Sequence, residues 1–330
     1  MSLFLSCAKQ KTLNMKSHDF GKQPKRIVWM QIAGFQEEHL AMLRFGLPGQ
    51  AAASEFPMEG VDCIGKMWNF NLYKIRPTPL ESSLSQLMGQ KNIKNSCEDF
   101  TKKPVWKYFE ELDFATGIFE SGYQKNHSLL SSLKCQSASN LFQDTYFWKM
   151  SGSNDKNANK FHYQGREQFN PGEIYYDKSC QGKDCYASIL NNVKSVWNRF
   201  NEKKPNSLFI IRDYSYYEAL KGKKILKARE ILIGLNKVFQ FFSEELNKKK
   251  ETLLILTSAS PQSFEFPTRG DQWAEFDRNG KYILYRKNSL LSPVLVKGAA
   301  SENFCGLYSE NDLIKRMIWT PRSGFSIFVK

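Results

Sequence analysis

Apolar positions along this chain recur in two periods, and the change from one to the other gives the first picture of the fold. Residues 27–32 form a short unbroken apolar run, as a strand buried on both faces requires. Through Ala33, Gly34 and Phe35 the run passes into helical spacing over 37–43, a strand-turn-helix opening of the α/β kind. Thr78 and Pro79 then precede an amphipathic helix over 80–88, where Leu80, Leu84, Leu87 and Met88 fall at helical spacing and Gly89 supplies a stop. From 91 to 170 the pattern weakens. Helical patches stand at 105–112 and 128–133, and a Gly, Ser and Asn-rich loop at 151–159, so the stretch reads as inserted, helix-rich cover.

Order returns with a helix over 187–200, a strand over 207–212, a long helix from about 224 to 247 and a strand over 252–257. This is a βαβ unit, whose two strands are expected to be parallel and neighbouring. A hairpin is expected next, because 273–277 and 281–286 alternate in strand fashion around Arg278, Asn279 and Gly280. A strand at 293–297 follows. Ser309, with Asp312 three residues on, has the form of a capping box for a helix over 312–318. There is no internal repeat. The pattern predicts an α/β fold with a mostly parallel central sheet flanked by helices, one domain over 25–330 with a helix-rich insertion at about 91–206, and a polar tether over 1–24.

The first residues and the cysteines bear on where such a domain works. Phe4, Leu5, Ser6 and Cys7 resemble the end of a bacterial lipoprotein signal, in which a small residue precedes the cysteine that is lipidated. The basic segment and the apolar stretch of about 7–15 residues that complete such a signal are missing. A lipidated Cys7 and a plain tail cysteine therefore both stay open. Without Cys7, six cysteines remain, Cys63, Cys97, Cys135, Cys180, Cys185 and Cys305, an even number suited to three disulfides in an oxidising compartment. Cys180 and Cys185 are the one pair close enough to name as a bridge. As a zinc site the pair lacks a second Cys or His pair at ligand spacing.

Charge narrows the partner's sign. With 47 Lys and Arg against 33 Asp and Glu, the 330-residue chain carries +14, which favours phosphate, sulfate, acidic glycans, lipid head groups or nucleic acid. Basic residues gather at Lys221, Lys223, Lys224, Lys227 and Arg229 and again at 248–250. Both clusters read as ends of one helix rather than as an aromatic-interleaved groove, so the nucleic-acid signal is not strong. No window reaches the ~18 uninterrupted apolar residues of a spanning helix, which leaves the lipid anchor as the membrane contact the sequence offers.

Four segments carry a family resemblance. IVWMQIAGF at 27–35 is similar to a first strand with a metal-binding turn, and TPLESSLSQLMGQ at 78–90 to a nucleophile helix ending in Gly. LKAREILIGLNKVFQFFSEELNKKKETLLILTSAS at 226–260 is similar to a long helix, its following strand and a second metal-binding turn. SPVLVKGA at 292–299 with YSENDLIKRMI at 308–318 is similar to a late strand and a closing helix. In this order they resemble the alkaline phosphatase and sulfatase superfamily, α/β proteins that hydrolyse or transfer phosphate and sulfate esters with bound metal.

Such chemistry needs clustered Asp and His around a nucleophilic hydroxyl, and here the chain departs from the family. Ala33 stands where the resemblance implies an Asp, and Ser258, Ala259 and Ser260 stand where it implies an Asp-His pair. The four histidines are His18, His39, His127 and His162, none of them in the C-terminal half. Asp213 is the one carboxylate near a ligand position. Thr78 is the nucleophile candidate, at a helix entry whose amides could help hold an anion, with Ser82 one turn later as the alternative. A Thr before Pro at a helix start is also an ordinary N-cap, and no activating base is identifiable. His39 reads as a surface residue. G-x-S-x-G, the phosphate-binding Gly-rich loop, H-E-x-x-H and CxxC pairs are all missing from the sequence.

The resemblance thus implies a divergent, non-hydrolytic relative without a cofactor, in the bacterial cell envelope on the periplasmic side. It would bind an anionic envelope component, a glycan or a protein partner at the C-terminal ends of its strands, where Arg76, Thr78, Ser82, Arg212 and Asp213 are expected to line the site. The alternative is an active phosphate or sulfate ester hydrolase or phosphotransferase. It would use Thr78 with zinc or another divalent metal held by Asp213, Asp271, Glu275 or Asp277. A third reading, a structural envelope lipoprotein, is not separated from the first by any residue.

Overall fold

The computed structural model describes residues 23–44, 56–123, 127–135, 140–182, 184–202 and 204–318. Cys7, His18 and the tether lie outside the described residues. The first strand, β1 (Arg26–Ala33), buries Ile27 and Trp29 on one face and Val28 and Met30 on the other, and a strand apolar on both faces belongs inside a sheet covered on both sides. It runs fifth in a ten-stranded sheet. The other strands are β2 (Cys63–Trp68), β3 (Ala115–Ser121), β4 (Thr145–Met150), β5 (Asn159–Phe161), β6 (Ile174–Asp177), β7 (Ser207–Asp213), β8 (Thr252–Ala259), β9 (Leu291–Gly298) and β10 (Gly306–Ser309). Read across, the order is β10-β2-β9-β8-β1-β7-β3-β4-β6-β5, and β9 alone runs against the rest. The expected mostly parallel sheet is the sheet observed.

Helices cover both faces and divide the core. Ile27, Trp29, Leu208, Ile210, Ile118 and Phe147 meet α1 (Pro79–Met88), α2 (Val105–Glu111) and the closing helix Leu313–Ile318 on one side. Val28, Met30, Phe209 and Ile211 meet α3 (Ile189–Phe200), α4 (Ser215–Lys221) and α5 (Ile225–Lys248) on the other. The chain thus forms an α/β/α sandwich, in which α3 and α5 bury an apolar stripe and α1 is buried on every side.

Several expectations are corrected. The strands at 207–212 and 252–257 are parallel but not neighbours, because β1 lies between them and pairs with both. No hairpin forms at 273–286. Residues Gly270–Asn279 are instead helix α6, with Asp271 in its first turn, Arg278 in its last and Gly280 left-handed at φ 67° as its cap. Trp273 and Phe276, three apart, pack together against Phe266. The segment at 91–206 is more than helical cover, since it also supplies β3, β4, β5 and β6. Ser309 makes no side-chain cap, and a 3-10 turn, Glu310–Asp312, precedes the helix. His39 is not a surface residue but is buried against Phe264 and Tyr216, with Nδ1 2.8 Å from the Tyr216 hydroxyl. Burial holds its pKa down to about 3, so it is a neutral core residue.

All six described cysteines are paired, as Cys63–Cys305, Cys97–Cys135 and Cys180–Cys185. The first closes 242 residues and joins β2 to the residue before its edge partner β10. Chain entropy assigns a loop of that length about 5–6 kcal/mol of stabilisation. We expect Cys63→Ser with Cys305→Ser to lower the urea midpoint by that much while leaving circular dichroism at low denaturant unchanged; an unchanged midpoint would mean that the bridge does not restrain the unfolded chain.

Candidate functional site

Near the C-terminal ends of the parallel strands, one register position turns from apolar to polar. Thr257 of β8, Gln31 of β1, Arg212 of β7, Glu120 of β3, Lys149 of β4 and Tyr176 of β6 stand side by side in successive strand pairs. Paired positions share a face, and this one is the face covered by α1. Arg212 is 0% exposed. Its Nη1 bonds the Glu120 carboxylate, Nε donates to Gln31 Oε1 at 3.1 Å, and Nη2 donates to Ser83 Oγ at 3.2 Å. The Tyr123 ring covers the guanidinium at 4.3 Å.

The neighbours of that pair are bonded as fully. Glu120 also accepts from Ser128 Oγ and from the Leu129 amide at 2.9 Å. Gln31 Nε2 donates to Ser83 O at 3.2 Å and Gln86 Oε1 at 3.1 Å, while Gln86 Nε2 donates to Ser258 O at 2.8 Å. Thr257 Oγ1 donates to Gln86 Oε1 and accepts from Trp29 Nε1, each at 2.9 Å. Lys149 differs. It is 7% exposed, its contact with Glu120 spans 4.0 Å, and burial pulls its pKa down.

The entry of α1 lies beside the ends of β1 and β8. Thr78 is the N-cap: its Oγ1 accepts from Glu81 N at 3.3 Å, and Glu81 Oε2 accepts from Thr78 N at 2.7 Å, a reciprocal capping box. Thr78 is exposed and Ser82 is buried. Ser82 Oγ donates to Glu310 Oε2 at 2.7 Å and accepts from Ser260 N at 3.2 Å. Ser260 Oγ donates to Pro77 O at 2.8 Å and accepts from Asn288 Nδ2 at 2.7 Å, and the Asn288 carbonyl accepts from exposed Arg76. Arg76, Thr78 and Ser82 therefore share one corner. Arg212 lies inside the sheet beneath α1, and Asp213 faces the opposite side, where it accepts from Ser215 Oγ at 2.6 Å and Tyr216 N at 2.9 Å as a turn cap.

Electrostatics work against an activated hydroxyl here. Burial pushes the Glu310 carboxyl up to about 8, in spite of hydrogen bonds from Ser82 and Gln86 that favour the ion. At neutral pH Ser82 thus faces a protonated acid, not a base. Burial also raises the pKa of Asp213.

No family's sequence model matches the chain, and no curated protein matches it in sequence. Its three-dimensional arrangement does find relatives. Thermus thermophilus alkaline phosphatase superposes with a TM-score of 0.69 at 9% identity, over 91% of this chain and 92% of that one. The chain has the alkaline phosphatase and sulfatase fold. The alkaline phosphatase of the Antarctic bacterium TAB5 gives a TM-score of 0.68 at 13% identity over 90% and 98% of the two chains. The lipoteichoic acid synthase LtaP of Listeria monocytogenes gives 0.51 at 10% over 92% and 74%.

A variant of the TAB5 enzyme carries bound magnesium, but the residues of this chain do not fit a divalent ion at the corner. The ends of β1 and β8 offer Ala33, Ser258 and Ser260; of the carboxyls beside them, Glu310 has its pKa pushed up to about 8 by burial, and Glu81 is taken up by the Thr78 amide and Lys74. Asp271, Glu275 and Asp277 all sit on α6, ion-paired with Arg269, Arg278 and Arg229, and do not converge with Asp213. Among the described residues the one converging ligand group is Asp177, Cys180 and Cys185, whose sulfurs are joined to each other.

Sequence reasoning missed Gln31, Gln86, Glu120, Lys149 and Glu310. For the strand residues a signal exists: Gln31, Glu120, Lys149 and Arg212 are each the first polar side chain after an apolar run late in a strand. Glu310 carries none.

Raising a carboxyl pKa from 4.5 to about 8 on folding adds stability that is complete below pH 4.5 and lost as pH rises to 8. We expect urea midpoints of the parent protein to fall over that window, by at most about 1.4 kcal/mol per pH unit from this group. Glu310→Gln should lose that component of the slope and be the more stable form at pH 8.5; equal slopes would remove Glu310 from the account.

Proposed function

We propose that this chain is a divergent, non-hydrolytic relative of the alkaline phosphatases and sulfatases that acts by binding an anionic ligand or partner. The observation that supports the reading is the Arg212 guanidinium. It is a permanent cation bonded to Glu120, Gln31 and Ser83 beneath the helix that the resemblance assigns to the nucleophile. A divalent ion drawn to the same strand ends would meet fixed like charge in a low-dielectric interior, and would find hydroxyls and amides where carboxylates and imidazoles are needed. The +14 net charge favours an anionic ligand. Three disulfides support an oxidising compartment such as the cell envelope. No helix among the described residues is long and apolar enough to cross a membrane.

The active-hydrolase reading keeps one feature in its favour, the exposed Thr78 at the start of α1. The two readings separate on metal and turnover. After equilibration with zinc, manganese, magnesium and calcium and then desalting, the purified protein should retain well under one equivalent of metal by elemental mass spectrometry. It should also release no p-nitrophenol from p-nitrophenyl phosphate or sulfate above background. Stoichiometric metal lost on Asp213→Ala, with hydrolysis abolished by Thr78→Ala, would replace this reading with the hydrolase.

A further inference from the structure

The polar row does not balance its own charge. Arg212 and Lys149 are cationic, Glu120 is the single anion between them, and its bonds go to Arg212, Ser128 and Leu129. Asp213 is turned to the other face and capped. The excess cation is Lys149, which makes no hydrogen bond among the described residues although it is 7% exposed. Its ammonium opens to a cleft rather than lying sealed in the core, and burial of the side chain still disfavours its charged form. Beside it Tyr123 is 4% exposed, and its buried hydroxyl has no partner among the described residues.

Both side chains line a cleft of about 1170 Å³ over the C-terminal ends of β3, β4 and β6, walled by the turn after β4, the Cys180–Cys185 loop, α4 and the start of α5. That volume is at or above the ~300–1,000 Å³ of ordinary small-ligand sites, so an ion alone would leave it mostly empty. The rim mixes Lys134, Lys224 and Lys227 with Asp155, Asp184 and Glu218, and the Ser151 and Ser153 hydroxyls lie between them. Carboxylates accept from hydroxyls and ammonium groups donate to them. The surroundings thus suit a ligand that carries several hydroxyls as well as one anionic group.

We propose that this cleft, rather than the corner at Thr78, is the ligand site, and that it takes an acidic saccharide, its anionic group seated on Lys149 and Tyr123 and its hydroxyls on the rim. The inference rests on the binding reading above and gives it a place and a ligand class. Parallel strands present their C-terminal ends to ligands in α/β sheets, and here β3, β4 and β6 do so away from the α1 entry.

Glucose 6-phosphate, glucose and inorganic phosphate, each titrated calorimetrically into the whole protein, test it. Glucose 6-phosphate should bind at one site more tightly than inorganic phosphate, and glucose should give no heat. Lys149→Met and Tyr123→Phe should each weaken binding by about tenfold or more, and Lys248→Met, at the far end of α5, should not. Because the Tyr123 hydroxyl has no partner among the described residues, Tyr123→Phe reports on the ligand even if Lys149→Met folds poorly. No heat from either anion, or binding indifferent to both substitutions, overturns the proposal. Binding that falls on Arg76→Ala or Thr78→Ala instead also overturns it while leaving a binding protein. Equal binding of inorganic phosphate and glucose 6-phosphate would remove the saccharide. Phosphate released from glucose 6-phosphate during the titration, with Lys149→Met still weakening binding, would overturn the non-hydrolytic reading and leave this site standing.

Discussion

Arg212 and Glu120 face each other on adjacent strands inside the sheet, and most of what is particular to this molecule is arranged around that ion pair. A guanidinium and a carboxylate taken wholly out of water lose several kcal/mol of solvation each, which their attraction offsets only when the remaining donors and acceptors are also satisfied. Here Gln31 and Ser83 take up the guanidinium, and Ser128 and the Leu129 amide take up the carboxylate. These partners come from β1, from α1 and from the 3-10 turn Leu129–Lys134. The pair therefore holds together the central strands, the helix at the entry of the corner and the segment beside the cleft. Such a network adds little net stability by its presence, but it has one arrangement.

On the reading proposed above, the same pair lets a scaffold shared with alkaline phosphatases work without their chemistry. The relatives' fold places a helix entry over the ends of parallel strands. In this chain that entry is closed by groups already bonded within the protein: Thr78 and Glu81 cap the helix, Ser82 and Ser260 bond each other, and burial raises the pKa of Glu310 to about 8. Positive charge is left over one step away, at Lys149, where β4 meets open space. In the binding reading, side chains supply the positive charge, and they do so at the cleft rather than at the corner.

Much of the scaffold was legible in the sequence. The apolar runs at 27–32, 207–212 and 252–257 and the long helix before the last of them come out nearly as read, because residues buried on both faces leave an unmistakable pattern. Within 91–206 the helices at 105–112 and 187–200 come out nearly as read but the strands were not legible, because β3 and β4 interrupt their apolar runs with Glu120 and Lys149, and those polar positions make sense only beside Arg212. The false hairpin at 273–286 has a similar cause: Arg278, Asn279 and Gly280 serve equally as a turn and as a helix end, and the contact of Trp273 with Phe266 decides between them. At the site, Arg212 was singled out for its place at a strand end, but its burial depends on Glu120, 92 residues away in sequence. Residues that line up only through strand register carry no local motif, and Glu310, which sets the character of Ser82, falls in the same class.

The central claim is that Arg212 and Glu120 form one coupled, buried unit at the heart of the row. A double-mutant cycle on Arg212→Met and Glu120→Gln, read by urea unfolding at pH 7, tests it most directly. Each single change should destabilise by about 3–5 kcal/mol, since it leaves an uncompensated charge or its unsatisfied partners in the interior. The double variant should cost no more than the worse single one. Two small costs that add would contradict the account, because they would mean that neither group is buried against the other and that the end of the sheet is open to water and to ions.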